Sequence, residues 1–330
     1  MSLSLRSCTE YNNIITCADD LVTSYEQTRA GFIEAAIAKG YKAKPYIEQA
    51  KTLKSLASEA TTPMDLLTIE EIQSSLLTAS GLSDKSFKYF AEGDKTEAVK
   101  KMIREFLVPA GENFVDELVY RFLLIKGDSL GGSMRNYVGS VAQMKLVRKI
   151  LSLLSLQRKG FKVLLKDGKK SNEWSDSTYE QVFDKADEVA AVYWNIKQSS
   201  ESADRILFFN ATIPTVGNNI DISLYNASPD IFDGGKIAGK SERAIMFGEM
   251  KGGIDPAGAD EHWKTGNSAL ERIRSAFSGC AVKTSFIAAA IEKKMASEIY
   301  RQLSTGVLSA AANMTIETQI THYCNWLINL

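Results

Sequence analysis

The pattern of apolar residues along this chain changes after Gly127, and that change limits the fold more than any other feature. Before it, apolar residues recur at helical spacing with almost no β-branched alternation. Leu21, Val22, Tyr25, Ala30, Phe32, Ile33 and Ala36 predict a helix over Ala18 to Lys39, with Gly40 as its stop. Thr62-Pro63 reads as a helix start, and Thr68-Ile-Glu-Glu as a capping box ahead of Ile72, Leu76 and Leu77. Ser83-Asp-Lys-Ser begins a further helix, and Gly111-Glu another that runs to about Ile125. Such an array alone suits a binding module of almost any kind.

After Gly127 the pattern differs. Gly131-Gly132-Ser133 opens a core helix to about Gln157, with Met134, Val138, Val141, Met144, Val147, Leu151 and Leu154 on its apolar face. Strand-like runs follow at Phe161 to Leu165, Ile206 to Ile213 and Ile220 to Tyr225, with a polar, partly helical stretch between the first two. Ala244 to Lys251 is a further strand, Asn267 to Phe277 a helix, Val282 to Ile291 a strand, and Lys293 to Leu303 a helix. The order predicts an α+β fold: a mixed central β-sheet flanked by helices, preceded by a mainly helical domain. The expected division is 1–126 and 127–330.

Composition excludes several classes. Apolar residues make up 45% and charged residues 24% of the 330 residues, as in ordinary globular proteins. No run approaches the roughly 18 apolar residues of a membrane span, and the N-terminus lacks a basic-then-apolar signal. No membrane partner and a cytoplasmic location are therefore expected. Cys8, Cys17, Cys280 and Cys324 show no CxxC spacing, which argues for buried reduced thiols rather than zinc or disulfides. The net charge of −1 hides an asymmetry. Between Lys126 and Lys170 eleven basic residues face only Asp128 and Asp167, an excess of nine, so the remainder carries −10. That island suits either a phosphate-contacting face or a solvated helix face followed by a basic turn.

The chemistry-bearing residues sit in the strand region. Asp221 lies in an otherwise apolar strand, where a lone carboxylate is costly without a partner. Glu249 and Lys251 are two apart, so a strand places both on one face. If the two strands pair, the carboxylates converge and, with a main-chain carbonyl, can hold a hard divalent cation such as Mg2+. Lys251 could then orient or deprotonate an attacking water, or neutralise charge on a phosphorane. The plain alternative is a structural ion pair between Glu249 and Lys251. A glycine-rich, polar turn follows directly, from Gly252 to Thr265, and carries His262, a candidate general base or phosphate ligand. His322 reads as a packed or surface residue of a C-terminal helix.

These residues also carry a specific resemblance. The runs Gly127-Asp-Ser-Leu-Gly-Gly-Ser-Met-Arg-Asn136 and Gly248-Glu-Met-Lys-Gly-Gly-Ile-Asp-Pro-Ala-Gly-Ala-Asp-Glu-His-Trp-Lys-Thr265 resemble the AvaI/BsoBI family of type II restriction endonucleases. So do Tyr25 to Phe32, ending Arg-Ala-Gly-Phe, and Pro109-Ala-Gly-Glu112, in order along nearly the whole chain. The resemblance implies a PD-(D/E)XK nuclease core and a homodimer that encircles double-stranded DNA. It implies Mg2+-dependent cleavage of the palindrome CYCGRG after its first cytosine, leaving four-base 5′ overhangs. By position, the family's catalytic trio falls on Asp221, Glu249 and Lys251, and its histidine near the scissile phosphate on His262. Ile220 stands where the superfamily has proline. Base-reading positions fall on Lys85 and Asp255, whose donor and acceptor groups suit guanine and cytosine edges. Arg135 and Asn136, near an expected helix N-terminus, suit phosphate. The competing expectations are a related nuclease of shifted specificity, a catalytically silent DNA-binding protein, and a helical scaffold.

Overall fold

The computed structural model describes residues 14–82, 86, 89–167, 173–198, 201–231 and 236–330. Its helices are α1 (Tyr25–Ala57), α2 (Gln73–Ala79), α3 (Glu92–Met102), α4 (Phe114–Leu156), α5 (Tyr179–Phe183), α6 (Ala259–Ala276), α7 (Lys293–Ser304) and α8 (Glu317–Ile328). Its strands are β1 (Phe161–Leu165), β2 (Trp174–Asp176), β3 (Val189–Gln198), β4 (Glu201–Ile213), β5 (Asn218–Tyr225), β6 (Ala244–Lys251), β7 (Lys283–Ala288) and β8 (Ala310–Asn313). All eight form one sheet in the order β2-β1-β3-β4-β5-β6-β7-β8. Neighbours are antiparallel from β2 as far as β6, then parallel through β7 and β8. Each parallel step is made by a crossover helix, α6 and then α7, as parallel pairing requires. The sheet is mixed and helix-flanked, the α+β architecture that the sequence pattern predicts.

By packing, Ile33–Asn136 forms one unit and the rest of the chain another. The helical unit has its own core, built from Ala50, Leu53, Leu66, Ile72, Leu76, Ile103, Leu107, Leu118 and Phe122 among others. The sheet unit includes residues before Ile33: the Thr23 amide donates to Ile291 O at 3.0 Å, and Asn313 Nδ2 to Leu21 O at 2.9 Å. The packing boundary thus lies inside α1 and α4, and Gly127 lies inside α4, so the helical period runs on to Leu156 and gives way to strand only at β1.

Several local expectations are corrected. Ala18–Leu21 is a 3-10 turn, and α1 starts at Tyr25 and continues through Gly40 and Pro45. A glycine stops a helix by taking a left-handed backbone, and Gly40 does not. For the same reason Gly127, Gly131 and Gly132 lie inside α4, so no helix begins at Gly131. Thr68-Ile-Glu-Glu forms two 3-10 turns, Asp65–Thr68 and Glu70–Ile72, ahead of α2. The helix start expected at Ser83-Asp-Lys lies outside the described residues. The polar stretch after β1 holds α5 and also β2 and the ten-residue β3. β8, Ala-Ala-Ala-Asn, has weak strand propensity and is fixed by pairing with β7. α6 begins at Ala259, eight residues before the expected start. Cys17, Cys280 and Cys324 are free thiols, but of these three only Cys324 is buried; Cys17 precedes the Ala18–Leu21 turn, Cys280 follows α6, and Cys8 lies outside the described residues. Among the described residues no helix is long and apolar enough to cross a membrane.

Candidate active site

β5 and β6 bring the two carboxylates together by register. Ile222 pairs with Gly248, and one step further along the same antiparallel register Asp221 stands across from Glu249. Side chains at facing positions share a face and lie within contact range. Beyond Gly248 the ladder to β5 stops, and the Asp221 side chain takes its place: Oδ2 accepts the Met250 amide at 2.8 Å. Glu249 is 5% exposed, and Lys251 Nζ donates to its Oε2 at 3.1 Å.

Two carboxylates and one ammonium leave this half-buried cluster one negative charge in excess. Burial pushes the Asp221 carboxyl above its ordinary range, against the Met250 N–H and the Lys251 charge, which pull it down. Glu249 is pushed up to about 7, first by burial and then by the Asp221 carboxylate, with Lys251 and Arg272 opposing. Two carboxylates that resist ionising together are a site short of positive charge. The donor set fits a cation that keeps most of its waters. Among the described residues no three His, Cys, Asp or Glu side chains gather as ligands. Two acidic oxygens, with waters in the remaining positions, suit Mg2+.

The glycine-rich turn wraps the cluster closely. A Cβ on Gly252 would lie 2.8 Å from the Val138 carbonyl and 2.6 Å from the Ala142 methyl of α4, so only glycine lets the chain leave Lys251 here. Gly253 and Gly258 lie against the imidazole of His262, which stands in the first turn of α6 rather than in a loop. Gly266 of α6 gives room for Phe286 and for the Lys251 stem. Trp263, which follows His262, is buried edge-on against Phe286 and donates its indole N–H to Glu298 at 2.6 Å.

Asp221, Glu249 and Lys251 are therefore brought together, with His262 on the helix that follows. Asp255 is exposed and caps the turn Pro256–Gly258, its Oδ1 accepting the Ala257 amide at 3.0 Å. Arg135 and Asn136 lie in the middle of α4, which removes the helix-terminus argument for them. Lys85 lies outside the described residues, as do Lys169 and Lys170.

Five of the eleven basic residues of the island have protein partners. Arg148 donates to Phe183 O and stacks on that ring, Lys149 pairs with Glu317, and Lys159 binds Asn329 and Ile328 O. Lys162 faces Asp176 at 3.7 Å, and Lys166 donates to Asp187 O. Sequence reasoning passed over Arg272, which no local pattern marks, and Asn210, a polar break in the apolar run of β4.

The family profile described as restriction endonuclease BsobI matches residues 11–330. The type II restriction enzyme BsoBI of Geobacillus stearothermophilus is 47% identical over 322 residues, covering 97% of this chain and 98% of the relative. The type II restriction enzyme AvaI of a Nostoc species is 45% identical over 323 residues, covering 97% and 99%. AvaI of Anabaena variabilis is similar to the same degree.

Proposed function

Because the chain belongs to the BsobI restriction endonuclease family, we propose that it cuts double-stranded DNA at CYCGRG with magnesium held by Asp221 and Glu249. The observation that carries the chemistry is the carboxylate pair facing across β5 and β6, its Glu249 buried and bonded to Lys251. The palindrome is carried by the resemblance of the run Gly248 to Thr265 and by the extent of the match.

Magnesium at this site would supply charge stabilisation at the phosphorane and acidify a coordinated water. Asp221 is oriented for ligation by the Met250 N–H, which engages one oxygen and leaves the carboxylate a fixed direction. Lys251, its side chain 24% exposed, is held by Glu249 where it can donate to a phosphate oxygen and orient the attacking water. His262, seated against the loop glycines, accepts or returns a proton near the scissile phosphate. The α6 N-terminus in the same turn favours that phosphate. Asp255 shapes the turn and presents an acceptor to a cytosine amino group, Lys85 reads guanine, and Arg135 and Asn136 contact the backbone. Two copies related by a two-fold axis would match the palindrome, one site for each strand.

Incubating the protein with a plasmid of known sequence, with Mg2+ or with EDTA, tests this reading. Discrete fragments beginning 5′-YCGR, seen only with Mg2+, are expected. Discrete cuts elsewhere would overturn the target, and tight binding without cleavage would overturn the chemistry.

A further inference from the structure

Among the described residues two that are not glycine have a left-handed backbone, Arg158 and Asn210. Arg158 follows the end of α4, where that conformation is routine. Asn210, with φ +50°, stands inside β4, where the chain should be extended. A left-handed residue there turns its peptide groups away from the neighbouring strand. The pairing of β4 with β5 accordingly goes from Phe209 and Ile222 directly to Ala211 and Ile220, with the register unchanged. The step left out is Asn210 against Asp221. The irregular residue thus stands directly across from Asp221, with Glu249 across from Asp221 on the other side.

Side chains hold this irregularity in place. Asn210 Nδ2 donates to Gln143 Oε1 at 2.6 Å, and Gln143 Nε2 donates to Val189 O at 2.9 Å. Gln143 is 2% exposed, and with both ends of its amide engaged it has a single orientation. Its neighbour Ala142 is the residue packed on Gly252. Adjacent residues of α4 therefore touch the strand beside Asp221 and the turn that leaves Lys251. Asparagine takes a left-handed backbone more readily than most side chains, and irregular backbone of this kind gathers at functional sites.

We propose that Asn210 is a positioning residue whose bond to Gln143 holds β4 out of the ladder, freeing Asp221 to lean toward β6. This rests on the reading of Asp221 and Glu249 as cation ligands. The bond sets the separation of the two carboxylates, and with it the affinity for the divalent ion.

The test is calorimetric titration of Mn2+ into the free protein, with melting temperature and binding to cognate DNA in EDTA measured alongside. Asn210→Gly keeps the left-handed backbone and removes the amide. It should weaken Mn2+ binding roughly 10-fold, the usual effect of losing a group that orients a ligand, while DNA affinity stays within about two-fold. Gln143→Met should weaken Mn2+ binding by a similar factor, and the double variant no further, as expected of one interaction. Unchanged Mn2+ affinity in Asn210→Gly, with or without a lower melting temperature, would overturn the proposal, as would additive losses in the double variant. Asp221→Ala separates the premise: if it binds Mn2+ normally the metal-site reading itself fails, whereas if it abolishes binding and Asn210→Gly does not, only the positioning role fails.

Discussion

At the scale of residues, the site is a matter of charge held where charge is costly. Glu249 keeps its proton in the folded protein up to about 7, above its ordinary 4.5, and Asp221 is displaced in the same direction. Between these limits the folded state binds a proton that the unfolded chain has released. The contribution to stability is full below about pH 4.5 and is lost as pH rises through about 7. Melts of the metal-free protein in EDTA should therefore fall by several degrees from about pH 5 to about pH 8, and Glu249→Gln should flatten that slope. An equal slope in the variant would remove Glu249 as its source. Lys251→Ala should lower the cleavage rate about 10³-fold and leave specific binding intact, read by single-turnover cleavage beside a binding titration. A near-normal rate would take the lysine out of the chemistry. Asp221 and the Glu249 and Lys251 pair were legible in the chain because a carboxylate in an apolar strand and an i, i+2 pair are local signals. Arg272 was not, since it reaches Glu249 only through the packing of α6.

Among elements, what could be read was the hydrophobic period, and what could not was where a period stops. β1 and β6 were bounded as observed because their ends coincide with polar or glycine-rich turns. β8 could not be found in Ala-Ala-Ala-Asn, because pairing with β7 rather than propensity makes it a strand. Glycines misled in α1 and α4, since a glycine marks a helix end only when its backbone turns left-handed. Gly131 and Gly132 are exposed, helical, and have open space where a Cβ would stand. Alanine at either position should stabilise the protein by about 0.5–1 kcal/mol, seen as a higher denaturation midpoint. A loss of stability would mean that α4 is not continuous there. If DNA binding weakens while stability rises, these glycines serve close approach to the duplex instead.

For the whole molecule, the proposed symmetry has a direct readout. In a dimer with one active site for each strand, a mixed dimer of one wild-type and one Asp221→Ala subunit should nick a supercoiled plasmid and stop at the open circle. Linear product from purified mixed dimers would show that one subunit serves both strands. The mixed sheet was legible from the order of strands and helices. The packing boundary inside α1 and α4 was not, because a helix shared between two cores keeps one period throughout.

The pairing of β5 with β6 also bears on how this site can change over time. Asp221 and Glu249 meet through cross-strand register, and the chain between them contributes nothing to their separation. Residues added to or removed from that connection would leave the carboxylates facing each other. A single-residue slip within β5 would instead turn Asp221 to the opposite face of the sheet. Lineages carrying this chemistry should therefore drift freely in the spacing between the two acids while the strands themselves stay fixed in length, so that the site is inherited as an alignment of strands and not as a string of letters.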